Sequence, residues 1–147
     1  MSAGQSRIAR IGRRLHAMPA PQRRTLAACF LLLPLVWLRL RLAGLGACQA
    51  WLAGTRPAAR QRPLCDAEIG ELAALVELAA RHSPWPAGCL TRSLLLARLL
   101  RRRGVATDLR VGVRRSPDAL EAHAWLERDG VPINDVPEVA LQFAALR

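Results

Sequence analysis

Apolar residues recur along this chain with a period that changes once, near Gly104. Before it the spacing is helical. Ile8, Ile11 and Leu15 fit a short basic amphipathic helix that ends before Pro19 and Pro21. Thr25–Leu38 and Leu42–Thr55 are uncharged runs of 14 residues each, separated by Arg39-Leu40-Arg41. Each run is shorter than the roughly 18–20 residues that span a bilayer. Pro34 is expected to kink or break the first of them. These runs predict two helices with an apolar face, packed on the domain or lying at a membrane surface. Thr55–Pro63 is rich in Pro and Arg and reads as a linker. Asp66 is placed to cap a helix over 67–81, whose Ile69, Leu72, Leu75, Val76 and Ala79 form one apolar face. Pro84–Gly88 then gives way to a Leu-rich run from Cys89 to Arg103, with arginines in the last turn and Gly104 as a left-handed C-cap.

After Gly104 the period becomes two. Leu109, Val111 and Val113 alternate with polar or small residues as in a half-buried strand. Ala122–Glu127 and Val131–Asp135 read as two further strands around a turn at Arg128–Gly130. The turn fixes the register. A two-residue Asp129-Gly130 turn pairs Arg128 with Val131, sets His123 opposite Val136 and points Asp135 away. A three-residue loop with a bulged Gly130 pairs Glu127 with Val131 and sets His123 opposite Asp135. Both turns suit the sequence. The second is the expected one, because only it builds a site. The fold class is therefore α+β: helices packed on a small antiparallel sheet, with a helical region at residues 1–60 and the chemistry at residues 61–147.

Composition narrows the function. The 147 residues carry 22 basic and 11 acidic groups, a net charge of +11, and every basic residue is arginine. An anionic partner is implied, although an arginine-biased composition explains the same number. No zinc-finger spacing or basic strand with stacked aromatics points to nucleic acid. Cys29, Cys48, Cys65 and Cys89 are widely and irregularly spaced, which argues against a metal site or a disulfide scaffold. Cys29 and Cys48 fall in apolar runs as small buried residues. Leu45-Gly46-Ala47-Cys48 faintly resembles a lipoprotein cleavage box. Arg39 and Arg41 inside the apolar stretch argue against secretion, so the expected location is cytoplasmic, with loose membrane association compatible.

Cys89 differs from the other three. It opens a helix, where unpaired N–H groups and the helix dipole favour a thiolate. His123 and Asp135 follow on strands. The three together suit covalent acyl transfer: Cys89 attacks an amide carbonyl, His123 shuttles the proton and Asp135 orients the ring. The Cys89 N–H is one donor to the developing oxyanion. Taken singly, each residue is as easily explained by packing or a turn. Cys65 is a weaker nucleophile candidate, with no histidine segment tied to it.

The segments HSPWPAGCLTRSLLLARLLRRRG, TDLRVGVRR and EAHAWLERDGVPINDV, in that order, resemble the lasso-peptide biosynthesis B protein. The likeness is to its stand-alone leader-peptidase type, in the transglutaminase-like (papain-like) cysteine-peptidase superfamily. It is strong over residues 66–136. It implies that Cys89 is the nucleophile, His123 the general base and Asp135 the acidic member. It also implies a precursor peptide as substrate, a separate leader-binding protein, and a cyclase acting on the product. ATP dependence is implied by the resemblance alone; the sequence has no Gly-rich phosphate loop, and no other cofactor or metal is expected. A transglutaminase-like acyltransferase would use the same three residues with an amine acceptor. A non-catalytic peptide-binding or scaffolding module would not need Cys89.

Overall fold

A computed structural model describes residues 17–58 and 62–146. The proposed helix over Ile8–Leu15 lies outside the described residues. Helix α1 spans Ala20–Ala53, α2 spans Asp66–His82 and α3 spans Cys89–Arg102. Strands β1 (Asp108–Arg115), β2 (Leu120–Arg128) and β3 (Val131–Pro132) follow. The one-turn helix α4 (Val139–Gln142) and the short strand β4 (Ala144–Ala145) end the chain's regular structure. The sheet order is β3-β2-β1-β4, antiparallel throughout.

The expected break at Pro34 does not occur. The chain stays helical through Pro34 and through Arg39-Leu40-Arg41 and kinks at Gly44, at φ 76° and ψ 178°, so that α1 is two helices joined at a kink, as expected, with the break at Gly44 instead. That left-handed φ suits a residue without Cβ. Continuity across Pro34 follows from packing. Leu26, Cys29, Leu33 and Val36 lie at helical spacing and are buried against α2 and α3. Each such side chain stabilises by about 1.5–3 kcal/mol, which together outweighs the ~3 kcal/mol that an interior proline costs. The helix as a whole is long and apolar enough to cross a membrane, by length and composition alone.

Helix α2 starts one residue earlier than expected. Its N-cap is Cys65, not Asp66, and the Cys65 N–H donates to Glu68 Oε2 at 3.0 Å. Arg62 fixes the same carboxylate. That hydrogen bond, with the Cys65 N–H second, pulls the Glu68 carboxyl down to about 2. Helix α3 ends as the sequence predicts, with Arg101 and Arg102 in its last turn and Gly104 at φ 78°.

The core is continuous across all three helices and reaches the sheet through Leu126. Helix α3 is its centre: Leu94, Leu95, Leu96 and Leu100 are essentially inaccessible. On β2, Ala124, Trp125, Leu126 and Glu127 are buried in succession, so both faces of the strand are covered there. The C-terminal segment contributes to this cover, with Phe143 against Trp125 and His123.

Candidate active site

Three residues picked out from the sequence line one cavity. Cys89, His123 and Asp135 border a space of about 520 Å³, together with Glu77, Arg92, Asn134 and apolar side chains. Cys89 is the first residue of α3, after an extended Gly88. It is there because Pro84–Gly88 cannot continue a helix and the leucine run after it can. His123 lies in the middle of β2, opposite Gly112 of β1. Its Nε2 meets Asp135 Oδ2 at 2.5 Å. Asp135 Oδ1 accepts the Val136 N–H at 2.8 Å, which fixes the carboxylate from its other side. His123 Nδ1 is the ring nitrogen that this contact leaves over. Among the described residues no hydrogen bond joins the Cys89 thiol to the ring.

The register that brings His123 to Asp135 is not the expected one. Arg128 pairs with Val131 and Glu127 with Pro132, across a two-residue turn in which Asp129 has φ 52° and Gly130 φ 79°. The bulged three-residue loop is absent. Strict alternation from this register would turn Asp135 away. It does not, because β3 stops after Pro132. Ile133 N–H still donates to Leu126 O at 3.0 Å. At the next step the Asn134 side chain replaces the backbone, its Oδ1 accepting the Leu126 N–H at 2.8 Å. The main chain is thereby freed to bend, and Asp135 reaches His123 from a bend rather than a strand.

Asn134 does more than end the ladder. Its Nδ2 donates to Ser93 Oγ at 3.0 Å, and Ser93 Oγ–H donates to the Ala124 carbonyl at 3.2 Å. Ser93 is wholly buried and lies one helical turn beyond Cys89. One small network thus joins the helix of Cys89, the strand of His123 and the bend of Asp135. Sequence reasoning missed it. The available signal was a lone hydroxyl in the leucine run, four residues after Cys89, which buried polar groups rarely tolerate without a partner.

Phe143 and Gly112 were missed as well. Phe143 lies 5.0 Å from the His123 ring, centroid to centroid. A Cβ at Gly112 would come within 2.8 Å of Phe143 Cβ and 3.0 Å of the Trp125 ring. Glycine is therefore required for this aromatic cluster to close against His123. Trp125 Nε1–H donates to Glu127 Oε1 at 2.9 Å, and Arg110 holds the other carboxylate oxygen. Both strands are thus tied beneath the cluster.

At the opposite wall Arg92 donates to Glu77 Oε2 at 2.6 Å and Arg81 to Glu77 Oε1 at 3.0 Å. Burial alone would raise the Glu77 carboxyl. The Arg81 hydrogen bond and the Arg92 charge outweigh it and hold the carboxyl below its ordinary value. Cys65 is exposed and lies outside this cavity; Cys29 and Cys48 are buried in the core. Among the described residues no three His, Cys, Asp or Glu side chains are placed to hold a metal ion.

No curated protein and no solved structure matches the chain significantly. The family described as the transglutaminase-like superfamily matches residues 32–147, which takes in most of α1, all of α2 and α3, and the entire sheet. On that match the chain belongs to the transglutaminase-like superfamily.

Proposed function

We propose that this chain is a cysteine peptidase that removes the leader from a ribosomally made lasso-peptide precursor. The observation that carries the reading is the convergence on one cavity of a helix-opening Cys89 and a His123 whose ring is already held by Asp135. The resemblance of residues 66–136 supplies the substrate class.

In this reading Cys89 Sγ attacks the scissile carbonyl and His123 Nδ1 takes the thiol proton. The Asp135 contact at Nε2 keeps Nδ1 facing the reaction and steadies the imidazolium. The oxyanion forms beside the Cys89 N–H, which has no partner within the helix. Collapse of the tetrahedral intermediate breaks the C–N bond. The leaving amine takes the proton from His123, and the leader remains as a thioester on Cys89. Water, deprotonated by His123, then attacks the thioester. The leader leaves as a carboxylate and the thiol is restored. Catalytic hydrogen bonds of unliganded sites commonly tighten only in the substrate complex, and the thiol and ring are taken to do so here. The freed N-terminal amine is the group that a partner cyclase would use, and a separate leader-binding protein would deliver the precursor.

The test is intact-mass analysis of the precursor after incubation with the full chain and the leader-binding partner. The expected result is two fragments whose masses sum to the precursor plus one water, lost entirely in Cys89→Ala. Peptide joined to an amine, with loss of ammonia, would mean acyl transfer instead. Cleavage unchanged in Cys89→Ala would overturn the reading.

A further inference from the structure

Helix α1 has two apolar faces, and only one of them is used. At 100° per residue, the buried Leu26, Cys29, Leu33 and Val36 share one side. Leu31, Leu35, Leu38 and Leu42 recur at spacings of four and three residues and share the opposite side. They are 72%, 59%, 45% and 78% exposed. Over the most apolar 18 residues of the helix only 22% is buried. A continuous stripe of leucines open to water is costly unless something covers it.

Charge identifies the cover. All eleven carboxylates of the chain lie from Asp66 onward, whereas eleven of the 22 arginines precede it. The first 65 residues therefore carry the whole net charge of +11, and the remainder is neutral. Arg39 and Arg41 fall roughly 70–90° to either side of the leucine stripe. Tryptophans accompany them. Arg41 lies 5.7 Å above the Trp37 ring, which packs on the half-exposed Trp85. Arg39 lies 5.4 Å above Trp51.

Trp51 also lines a second cavity, of about 450 Å³, with Thr55, Arg56, Arg98 and Arg102. Arg98 is held in place there, 3.9 Å above Trp51 and donating to Thr55 Oγ1 at 2.8 Å. Among the described residues no carboxylate pairs with Arg39, Arg56, Arg98 or Arg102. Arg56, Arg98 and Arg102 line the cavity and Arg39 stacks on its Trp51 with no carboxylate among them, a set that suits a phosphate group.

We propose that this face docks on an anionic bilayer, with Leu31, Leu35, Leu38 and Leu42 dipping into the acyl boundary and the Trp51–Arg98–Arg102 cavity receiving lipid headgroup phosphates. The segment before the Gly44 kink lies in the plane of the surface rather than across it, because its other face, Leu26, Cys29, Leu33 and Val36, is packed in the core with α2 and α3. The peptidase cavity opens among α2, α3 and the β2–β3 hairpin and includes no residue of α1. Docking therefore leaves it free.

The experiment is co-sedimentation of the full chain with vesicles of phosphatidylcholine alone and of phosphatidylcholine with phosphatidylglycerol, at low and high salt. Binding is expected only to the phosphatidylglycerol vesicles and is expected to fade with salt. The variant L31Q/L35Q/L42Q should lose binding at least tenfold while its melting temperature and its cleavage of soluble precursor stay unchanged. R98Q/R102Q should weaken binding by about fivefold per charge removed. If the leucine variant does not fold, R39Q/R41Q tests the same surface with the leucines intact, and should weaken binding by a similar factor per charge. Equal, salt-resistant binding to both vesicles would mean insertion and overturn the proposal. A dimer that the leucine variant converts to monomer would assign the stripe to a second copy and overturn it too, as would no binding at all.

Discussion

Asn134 Nδ2 and Ser93 Oγ are 41 residues apart in the chain and 3.0 Å apart in space. That contact, not the β-ladder, holds the bend carrying Asp135 against the helix carrying Cys89. Replacing Asn134 by Ala strands the Leu126 N–H and takes away the donor to Ser93. A loss of about 1–3 kcal/mol is expected from stranding buried polar groups. Ser93→Ala should cost less. In the double variant the two effects should couple by about 0.5–3 kcal/mol, because both belong to one network. Urea unfolding of the four proteins measures this; strict additivity would show that the contact contributes nothing.

Asp135→Asn should separate catalysis from stability. The asparagine can still accept the Val136 N–H, so the bend remains. It cannot neutralise an imidazolium or hold the ring's tautomer as a carboxylate does. We expect cleavage to slow by about a thousandfold or more, with a denaturation midpoint close to that of the parent. A rate within about threefold of the parent would remove Asp135 from the mechanism.

Most elements were legible from periodicity because local and tertiary preferences agree there. Ile69, Leu72, Leu75, Val76 and Ala79 mark the buried face of α2, and the leucines of α3 mark a helix buried nearly all round. Pairing of β1 with β2 follows from two alternating segments joined by a Ser116–Ala119 turn. That Cys89, His123 and Asp135 come to one cavity was legible; the path that brings them together was not. The register argument assumed that β3 continues to Asp135, and a side chain ends the ladder first. Pro34 misled for the converse reason: a local penalty of ~3 kcal/mol was weighed without the four buried side chains around it. Phe143 lies in a segment of one helical turn and a two-residue strand, too short for any period to register.

Gly112→Ala should destabilise and slow at once. The added methyl meets Phe143 Cβ at 2.8 Å and the Trp125 ring at 3.0 Å, one a backbone-anchored atom and the other a buried indole. Neither can retreat without disturbing β4 or the Trp125–Glu127 hydrogen bond. Overpacking of this kind costs about 1–3 kcal/mol. Phe143 is the freer of the two, so His123 loses its aromatic neighbour first. Thermal unfolding and the cleavage rate should both fall, and Phe143→Ala introduced alongside should not restore the stability, because alanine keeps the Cβ that the added methyl meets.

Thiol labelling should divide the cysteines two and two. Burial raises the Cys29 thiol to about 11, partly offset by the Arg103 charge, and also raises Cys48, with Arg39 opposing. Both are inaccessible. Cys65 is exposed and Cys89 is half-buried at its cavity. An alkylating reagent at neutral pH should add two groups to the native protein and four after denaturation, by intact mass. Fast labelling of Cys29 in the native protein would mean that α1 leaves the core readily.

Acid should loosen the start of α2 in a defined window. The Glu68 carboxylate accepts from Arg62 and from the Cys65 N–H, and its folded value lies near 2 against an ordinary 4.5. A depressed carboxyl contributes stability that is fully present above its unfolded value and lost as pH falls through the folded one. The contribution is thus intact above about pH 4.5 and disappears toward pH 2. Arg62 is exposed and Glu68 partly so, and salt should therefore diminish the Arg62 part and leave the backbone cap. Glu68→Gln keeps an acceptor for the Cys65 N–H but has no charge to lose. Its stability should therefore be lower than the parent's at neutral pH, and the difference should shrink as pH falls from about 4.5 toward 2. Chemical denaturation of both proteins across that range checks the sign. A gap that stays constant throughout would show that the carboxylate's charge does not stabilise the helix start.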